Sequence, residues 1–393
     1  MLRSITSELN LEGGPEVTRK QRGRLGGELK KPMRAKSVNR LELLRDLSCA
    51  FGVSGDEKEV MDILERLLQE PFNGTRDRFG NRIFTRQGRD HAPVILLAAH
   101  ADEVGFMVQS VHPKGYLALL PLGSWDPPAA IGMPVQVKSR TGLLNGIIGS
   151  VPPHHRLAEK EVKPPRWEDI WLDLGARSAE EVRESLGVFP GDRVQPFPVF
   201  HRVADGRVLM GKAWDDRVGC ALLAELLLHT RETDCPNSLK GVVTVQEEVG
   251  LRGAQVLAGQ LEADVLIVLE GAPADDFPGS LSWQDQGAMG KGVQIRSSDV
   301  TMLANPGLRD FLVTMAAEEK IPYQVAVRRS GGTDGGPLHR AGSGIPGIVL
   351  SVPVRYAHNG AGLIDLEDYE ACLRLLVSAV SHLSHETVMG FLW

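Results

Sequence analysis

The sequence predicts an α/β fold: a sheet covered by helices on both faces, with a small β-rich segment inserted into it. Short continuous apolar runs at Pro93–Ala99, Val242–Val245 and Val265–Leu269 have the signature of strands buried on both sides. Helical stretches alternate with them, which is the pattern of a doubly covered sheet. Between Glu103 and about Phe200 the rhythm breaks, and glycine and proline crowd among short alternating runs.

From Arg40 onward the elements follow in order. Arg40–Phe51 carries apolar residues at helical spacing, and Ser54 with Glu57 forms a capping box ahead of a second amphipathic helix through Leu68. Val218–His229 is almost wholly apolar and reads as a buried helix. Pro306–Glu319 and Leu366–Ser384 are further helices, and Tyr323–Val327 and Gly347–Ser351 are strand-like. The interrupting interval holds Gly105, Gly115, Gly123, Gly142, Gly146 and Gly149 beside Pro127-Pro128 and Pro152-Pro153, with alternating runs at Phe106–Val108 and Val135–Val137. That composition predicts a small β domain. Residues 1–38 mix Gly-Gly pairs with a basic stretch from Arg19 to Lys36 and read as a flexible extension. The expected domains are therefore 1–38, a discontinuous α/β unit formed by 39–102 and 196–393, and an insertion at 103–195.

Composition narrows the function classes. With 393 residues, 42% apolar and 24% charged, the chain is an ordinary globular protein of two to three domains' length. A net charge of −6 offers no basic field for nucleic acid. No run approaches the roughly 20 apolar residues of a membrane span, and residues 1–38 lack the continuous apolar stretch of about 7–15 residues expected of a secretory signal. The four cysteines, Cys49, Cys220, Cys235 and Cys372, are far apart with no CxxC pair. Neither a disulfide framework nor a thiolate zinc site follows, and a reducing cytoplasm is the expected location.

Candidate chemistry gathers at the strand ends, where open α/β sheets collect their ligands. His100 and Asp102 close the first buried run, two residues apart and so on one face. Asp215 and Asp216 stand just before the buried helix. They read either as helix caps or as a source of one carboxylate that bridges two cations. Val242–Val245 ends in Gln246-Glu247-Glu248, and two adjacent carboxylates there repel and resist desolvation without cations. Alternatively, the strand has emerged into solvent at that point. Glu270 ends the next buried run, and His358 lies beyond Gly347–Ser351. Together His100, Asp215, Glu248, Glu270 and His358, with Glu247 to spare, add up to a two-metal hydrolase site. Imidazole and carboxylate without thiolate suit zinc, cobalt or manganese.

The segments HADEVG, KAWDDRVG, QEEVGLRGA, GGTDGGPLHRAG and VRYAH, in this order and spacing, resemble the tetrahedral aminopeptidase family of glutamyl, leucyl and lysyl aminopeptidases. The resemblance spans about Leu41 to Leu392. It implies a doubly covered mixed sheet of zinc-peptidase type, and it makes the insertion a β-rich dimerisation domain. It implies a homo-oligomer, from a dimer up to a dodecamer and often a twelve-subunit tetrahedron, acting on short peptides.

By the same resemblance, two divalent ions per subunit, zinc or cobalt first and manganese third, have the ligands His100, Asp215, Glu248, Glu270 and His358. Asp215 bridges, and His358 joins Glu248 at one metal. Glu247 is the general base and Asp102 orients His100. A metal-bridged hydroxide attacks the scissile carbonyl. The GGTDGG loop reads by itself as a tight turn, while the family places it beside the metals and so offers Asp334 either as a substrate contact or as a group that supports the ligands from behind. Three positions depart from the family pattern: Glu270 stands where Asp is usual, Asn359 where Ser is common and Gly362 where Glu is common.

Arg217 is expected to pair with a carboxylate, His339 to be structural, and His154 and His155 to lie at the surface. The competing functions are a related two-metal amide hydrolase, such as a deacylase or carboxypeptidase, and a non-catalytic oligomeric relative. A glycosidase is disfavoured, since that chemistry mostly uses two carboxyl groups without metals.

Overall fold

Helix formation begins where the apolar spacing does. The computed structural model describes residues 39–392 apart from 73, 156–163, 234 and 281–285, so the extension predicted for 1–38 lies outside the described residues. Asn39 caps α1 (Arg40–Cys49) by accepting from the Leu41 and Glu42 amides, and Leu43, Leu44 and Leu47 form the buried face. The next helix, α2 (Lys58–Leu67), buries Val60, Met61 and Leu64.

The capping box expected at α2 is not formed. Glu57 stands at the N-cap with no side-chain cap bond. Ser54 Oγ instead donates to Asp102 Oδ2 at 2.7 Å, and Glu57 Oε1 accepts from the Gly55 and Gln246 amides. Both residues are buried against the ends of the sheet, and a buried carboxylate or hydroxyl takes partners there rather than leaving them unsatisfied.

After β1 (Thr75–Arg76), β2 (Arg82–Arg86) and β3 (Val94–His100), the chain enters the interrupting interval. There β4 (Gly105–Val111), β5 (Leu117–Leu122), the short α3 (Pro127–Ala130), β6 (Pro134–Ser139), β7 (Gly142–Ser150), β8 (Ile170–Asp173), α4 (Ala179–Glu184) and β9 (Arg193–Pro196) follow. The six strands close into a barrel in the order β4-β5-β8-β7-β6-β9. Its own core includes Phe106, Leu117, Val135, Val137, Ile148, Leu172 and Val194.

The chain then runs through β10 (Phe200–Val203), β11 (Val208–Gly211), α5 (Trp214–Glu232), β12 (Ser238–Thr244), α6 (Arg252–Ala258), β13 (Val265–Pro273) and β14 (Val293–Ser298). It finishes with α7 (Pro306–Glu318), β15 (Tyr323–Val327), α8 (Gly335–Leu338), β16 (Gly347–Val354), β17 (Gly362–Asp365), α9 (Leu366–His382) and α10 (His385–Met389).

Eight strands make the main sheet, ordered β1-β2-β12-β3-β13-β16-β14-β15. It is mixed: β12, β3, β13 and β16 run parallel, and β14 is antiparallel to β16. Side chains alternate between its faces, as the pleat requires. Along β3, Ile95, Leu97 and Ala99 pack into a core shared with α1, α5 and α9. Leu96 and Ala98 pack into another shared with α6 and α8. A small separate sheet, β10-β11-β17, meets the large one where β17 packs beside β16.

A buried charge cluster sits where the chain passes from sheet to barrel. Lys212 Nζ and Arg217 Nη2 both donate to Glu103 Oε1, the latter at 3.2 Å, and all three residues are almost fully buried. Arg217 therefore pairs with a carboxylate as the sequence predicted. Its guanidinium also donates to the carbonyls of Leu47 in the last turn of α1 and of Gly52 just beyond that helix. Among the described residues no helix is long and apolar enough to cross a membrane.

Candidate active site

Strand geometry delivers the chemistry to one edge of the sheet. β3 ends on His100, which pairs in register with Thr244 at the end of β12. Beyond Thr244 the chain turns sharply through Gln246 into Glu247 and Glu248. Glu270 lies in β13 beside Ser351 of β16, and β16 leads on to His358. Several non-glycine residues here hold left-handed backbone conformations: Ala213, Gln246, Leu251, Tyr356 and His358, with φ between 55° and 63°. Such strain persists only where surrounding structure enforces it, and functional sites are where it gathers.

Asp215 stands between two imidazoles. Its Oδ1 is 3.1 Å from His100 Nε2, and its Oδ2 is 3.4 Å from His358 Nε2. His358 Nε2 is also 3.3 Å from Glu248 Oε1. His100 Nε2 lies 3.8 Å from Glu270 Oε2 and 3.9 Å from Glu247 Oε2. The two readings of the Asp pair divide between its members. Asp216 caps α5, with Oδ1 accepting from the Gly219 amide at 3.0 Å and Oδ2 from the His100 amide at 3.1 Å. Asp215 faces the histidines.

Asp102 organises the other side. Its Oδ1 accepts from the Glu247 amide at 2.9 Å, and its Oδ2 accepts from the Glu248 amide at 3.2 Å and from Ser54 Oγ. His100 Nδ1 lies 3.2 Å from the Asp102 carbonyl oxygen and 3.5 Å from Asp102 Oδ1. His358 Nδ1 lies 3.1 Å from the Ser124 carbonyl oxygen, a residue of the segment after β5. A carbonyl can only accept, so in each ring the Nδ1 is the donor. Each neutral ring then turns the lone pair of Nε2 toward carboxylates.

That donor set fits divalent cations. Lone pair facing carboxylate is a repulsive arrangement that needs a proton or a metal between the two. Among the described residues, His100, Asp215 and Glu248 form one group whose ligand atoms lie within 4.8 Å of one another, and His100, Asp216 and Glu270 form a second. Glu248 Oε1 is buried with no hydrogen-bond partner. Burial, with help from neighbouring carboxylates, pushes Glu247, Glu270 and Asp216 well above the usual carboxylate range. Asp215 moves the opposite way: burial opposes its charge, and the two histidines overcome that and hold it below the usual range. Burial resists protonation of His358, but Glu248 and Asp215 outweigh it and raise the imidazole to about 11. A cation would supply the positive charge for which these groups otherwise compete.

The cluster lines a cleft of about 570 Å³, walled further by Leu251, Pro273, Arg296, Thr301, Arg328 and Ser330 and by Gly331, Gly332 and Thr333 of the GGTDGG loop. Asp334 is not among the lining residues. It is buried beneath them, where its Oδ2 accepts from Thr244 Oγ1. Burial lifts its carboxyl to about 6.

Residues 80–375 match the family described as M42 glutamyl aminopeptidase. The chain belongs to this family. It is 34% identical over 340 residues to the glutamyl aminopeptidase of Lactococcus lactis subsp. cremoris (strain MG1363), covering 85% of this chain and 94% of that one. A TET aminopeptidase from a marine sediment archaeon of the Thaumarchaeota superposes with a TM-score of 0.86 at 39% identity, covering 90% of this chain and 99% of that one. A TET peptidase of Pyrococcus horikoshii, described as able to assemble into a tetrahedron or a large octahedral shell, superposes with a TM-score of 0.77 at 27% identity, covering 88% and 100%. This M42 chain is thus an aminopeptidase, a hydrolase of peptide bonds, with the mixed α/β architecture of the TET enzymes.

The sequence reading of this M42 peptidase brought His100, Asp102, Asp215, Glu247, Glu248, Glu270 and His358 to one place. It passed over Ser54's link to Asp102 and the two arginines of the cleft, and it left open which of Asp215 and Asp216 caps and which faces the histidines. Arg296 sits in β14, a strand the reading did not identify. Its signal was present in the alternation of Val293 and Ile295 with Gln294 and Arg296. His154 and His155 are exposed, and His339 lies in a helical turn with Nδ1 against the Gly335 carbonyl, as expected.

Proposed function

We propose that this chain is a two-metal aminopeptidase that removes the N-terminal residue from short peptides. The observation that carries the reading is Asp215, with one oxygen toward His100 and the other toward His358. His100, Asp215, Glu248, Glu270 and His358 would hold two divalent cations, zinc or cobalt in preference to manganese. Asp216 lies close enough to Glu270 and His100 to share that duty. When bound, such a pair supplies Lewis acidity to the scissile carbonyl and to the attacking water.

The remaining roles belong to the chain itself. Glu247 accepts the proton of the attacking water on its carboxylate and delivers it to the departing amine. Burial favours that protonated form. Asp102 fixes the backbone of Glu247 and Glu248 and, through its carbonyl, the ring of His100. Neighbouring carboxylates accept the N–H groups of the substrate's free amine, which makes the enzyme an exopeptidase. Asp334 supports Thr244 from below the cleft and does not touch substrate.

The barrel, with its flanking residues 103–195, serves in this reading as a dimerisation domain inserted into a doubly covered α/β catalytic domain of 39–102 and 196–393. Leu120, Leu143 and Ile147 are large apolar side chains left about half exposed on it, a surface suited to a second copy. Assembly into a dimer or a larger closed shell follows, in a cytoplasm that keeps the four cysteines free.

The test is a panel of aminoacyl-anilides and their N-acetylated forms, assayed on metal-stripped protein resupplied with zinc, cobalt or manganese. Hydrolysis of the free-amine substrates alone is the expected result. Cleavage of the N-acetylated forms would mark a deacylase, and inactivity with every combination would sink the enzyme reading.

A further inference from the structure

We propose that Glu57 is a positioning residue for catalysis: its carboxylate holds the Gln246 amide and so sets where Glu247 points, a role that rests on the general-base reading of Glu247 above. The turn that carries Glu247 leaves β12 abruptly. Gln246 is left-handed with φ 57°, a conformation that residues other than glycine resist and that neighbours must enforce. Leu251, at the far end of the turn, is left-handed as well. Between them, the Gly250 and Leu251 amides both donate to the Glu247 carbonyl, at 2.9 and 2.7 Å. Those bonds close the turn on itself and leave its attitude to the sheet open.

Four successive amides fix that attitude, each donating to a side chain from elsewhere in the chain. The Val245 amide donates to Asn81 Oδ1 and the Gln246 amide to Glu57 Oε1, both at 3.1 Å, and the Glu247 and Glu248 amides donate to Asp102. Asp102 thus governs the two glutamates after the strained residue, and Glu57 governs the strained residue itself. Glu57 turns away from its own helix to do so. It stands at the N-cap of α2 without capping it, is 6% exposed, and accepts from the Gly55 amide at 2.6 Å on the same oxygen. Burial, with the neighbouring Asp102, raises its carboxyl to about 7, so the uncharged form is well populated near neutral pH. The feature that matters is therefore the acceptor oxygen rather than the charge.

The barrel grips the other side of the same segment. Lys138 Nζ of β6 donates to Asp56 Oδ1 at 2.7 Å, and Arg193 Nε of β9 donates to the Ser54 carbonyl at 3.2 Å. Gly55 has φ 86°, and a Cβ there would come within 2.9 Å of Arg193 Nη2. Residues 54–57 are thus a brace, anchored on the barrel and bearing on the turn that aims Glu247. Glu247 Oε2 stands 3.9 Å from His100 Nε2. Misplacing a catalytic group by about 1 Å can lower a rate on the order of 100-fold.

The experiment follows the full-length metal-loaded protein and its Glu57→Ala, Glu57→Gln and Glu57→Asp variants. The measurements are kcat and KM with the aminoacyl-p-nitroanilide that the unaltered protein cleaves fastest, metal content by elemental analysis, and amide hydrogen exchange over 245–253 by mass spectrometry. In Glu57→Ala, kcat should fall about tenfold or more with KM and metal content little changed. Exchange of that peptide should quicken about fivefold or more. Glu57→Gln keeps the acceptor oxygen and should retain kcat within about threefold, with exchange as in the unaltered protein. Glu57→Asp, one methylene shorter, should behave as Glu57→Ala does. An unaltered kcat in Glu57→Ala, or a loss in Glu57→Gln equal to that in Glu57→Ala, overturns the proposal. Should Glu57→Ala fail to fold, the contrast between Glu57→Gln and Glu57→Asp decides, and equal kcat in those two overturns it. Should the unaltered protein cleave no anilide, the aminopeptidase reading falls by itself and hydrogen exchange decides on Glu57: faster exchange in Glu57→Ala upholds its grip on the turn, and unchanged exchange overturns it.

Discussion

Ser54 Oγ donates a 2.7 Å hydrogen bond to Asp102 Oδ2, joining the turn before α2 to the carboxylate that fixes Glu247 and Glu248. Removing the hydroxyl in Ser54→Ala should cost about 1 kcal/mol of stability and lower kcat about tenfold while KM changes little. Ser54→Thr should restore most of the loss. An unaltered kcat in Ser54→Ala would show that Asp102 holds its place without it.

Glu247 lies beside His100 yet outside the proposed ligand set. Glu247→Gln should retain the full metal content by elemental analysis while kcat falls at least about 100-fold. Loss of metal together with activity would instead make Glu247 a ligand.

Five carboxyl groups, Asp215, Asp216, Glu247, Glu248 and Glu270, crowd one buried cluster. Chelation should therefore lower Tm at pH 7.5, and zinc, cobalt or manganese should restore it. Free metal at about 100 times its Kd corresponds to nearly 3 kcal/mol. Burial raises the pKa of Asp216, Glu247 and Glu270 in the folded chain, so the metal-free fold binds more protons than the unfolded chain and loses stability as pH rises. The gap between chelated and metal-loaded protein should accordingly narrow toward pH 5.

Lys212 is fully buried, and desolvation lowers its pKa to about 8 despite the attraction of Glu103. Between pH 8 and the ordinary lysine value of about 10.4, the unfolded chain holds a proton that the folded chain has released. Stability gains up to about 1.4 kcal/mol per pH unit from this group as pH rises. Lys212→Met leaves Arg217 paired with Glu103, so the stability of the native chain relative to the variant should climb across that window in chemical denaturation. A flat difference would place the Lys212 pKa near its normal value.

How legible the fold was depended on burial. Strands buried on both faces announce themselves as apolar runs, and β3, β13 and β16 all lie near their predicted positions. β14 carries Gln294 and Arg296 between its apolar residues and was passed over, because a polar side chain inside an α/β sheet has meaning only when the cleft it faces is known. Metal-ligand candidates were legible because carboxylates at the ends of apolar strands are costly and need a reason. Ser54 misled for a related cause. Its spacing to Glu57 is that of a capping box, and only tertiary contact shows that Asp102, far along the chain, captures the hydroxyl. The Asp215 and Asp216 ambiguity could not be resolved by spacing either, since capping and ligation use the same residue type at neighbouring positions.

The carbonyl of Ser124 belongs to the barrel segment, and it is this oxygen that takes the Nδ1–H of His358. One of the two imidazoles of the catalytic cluster is therefore aimed by the same part of the chain whose apolar surface faces outward. In the dimer proposed above, a strain applied to the barrel would reach the His358 ring through a single peptide group. Subunit contact and the tautomer of that histidine would then be two ends of one short lever.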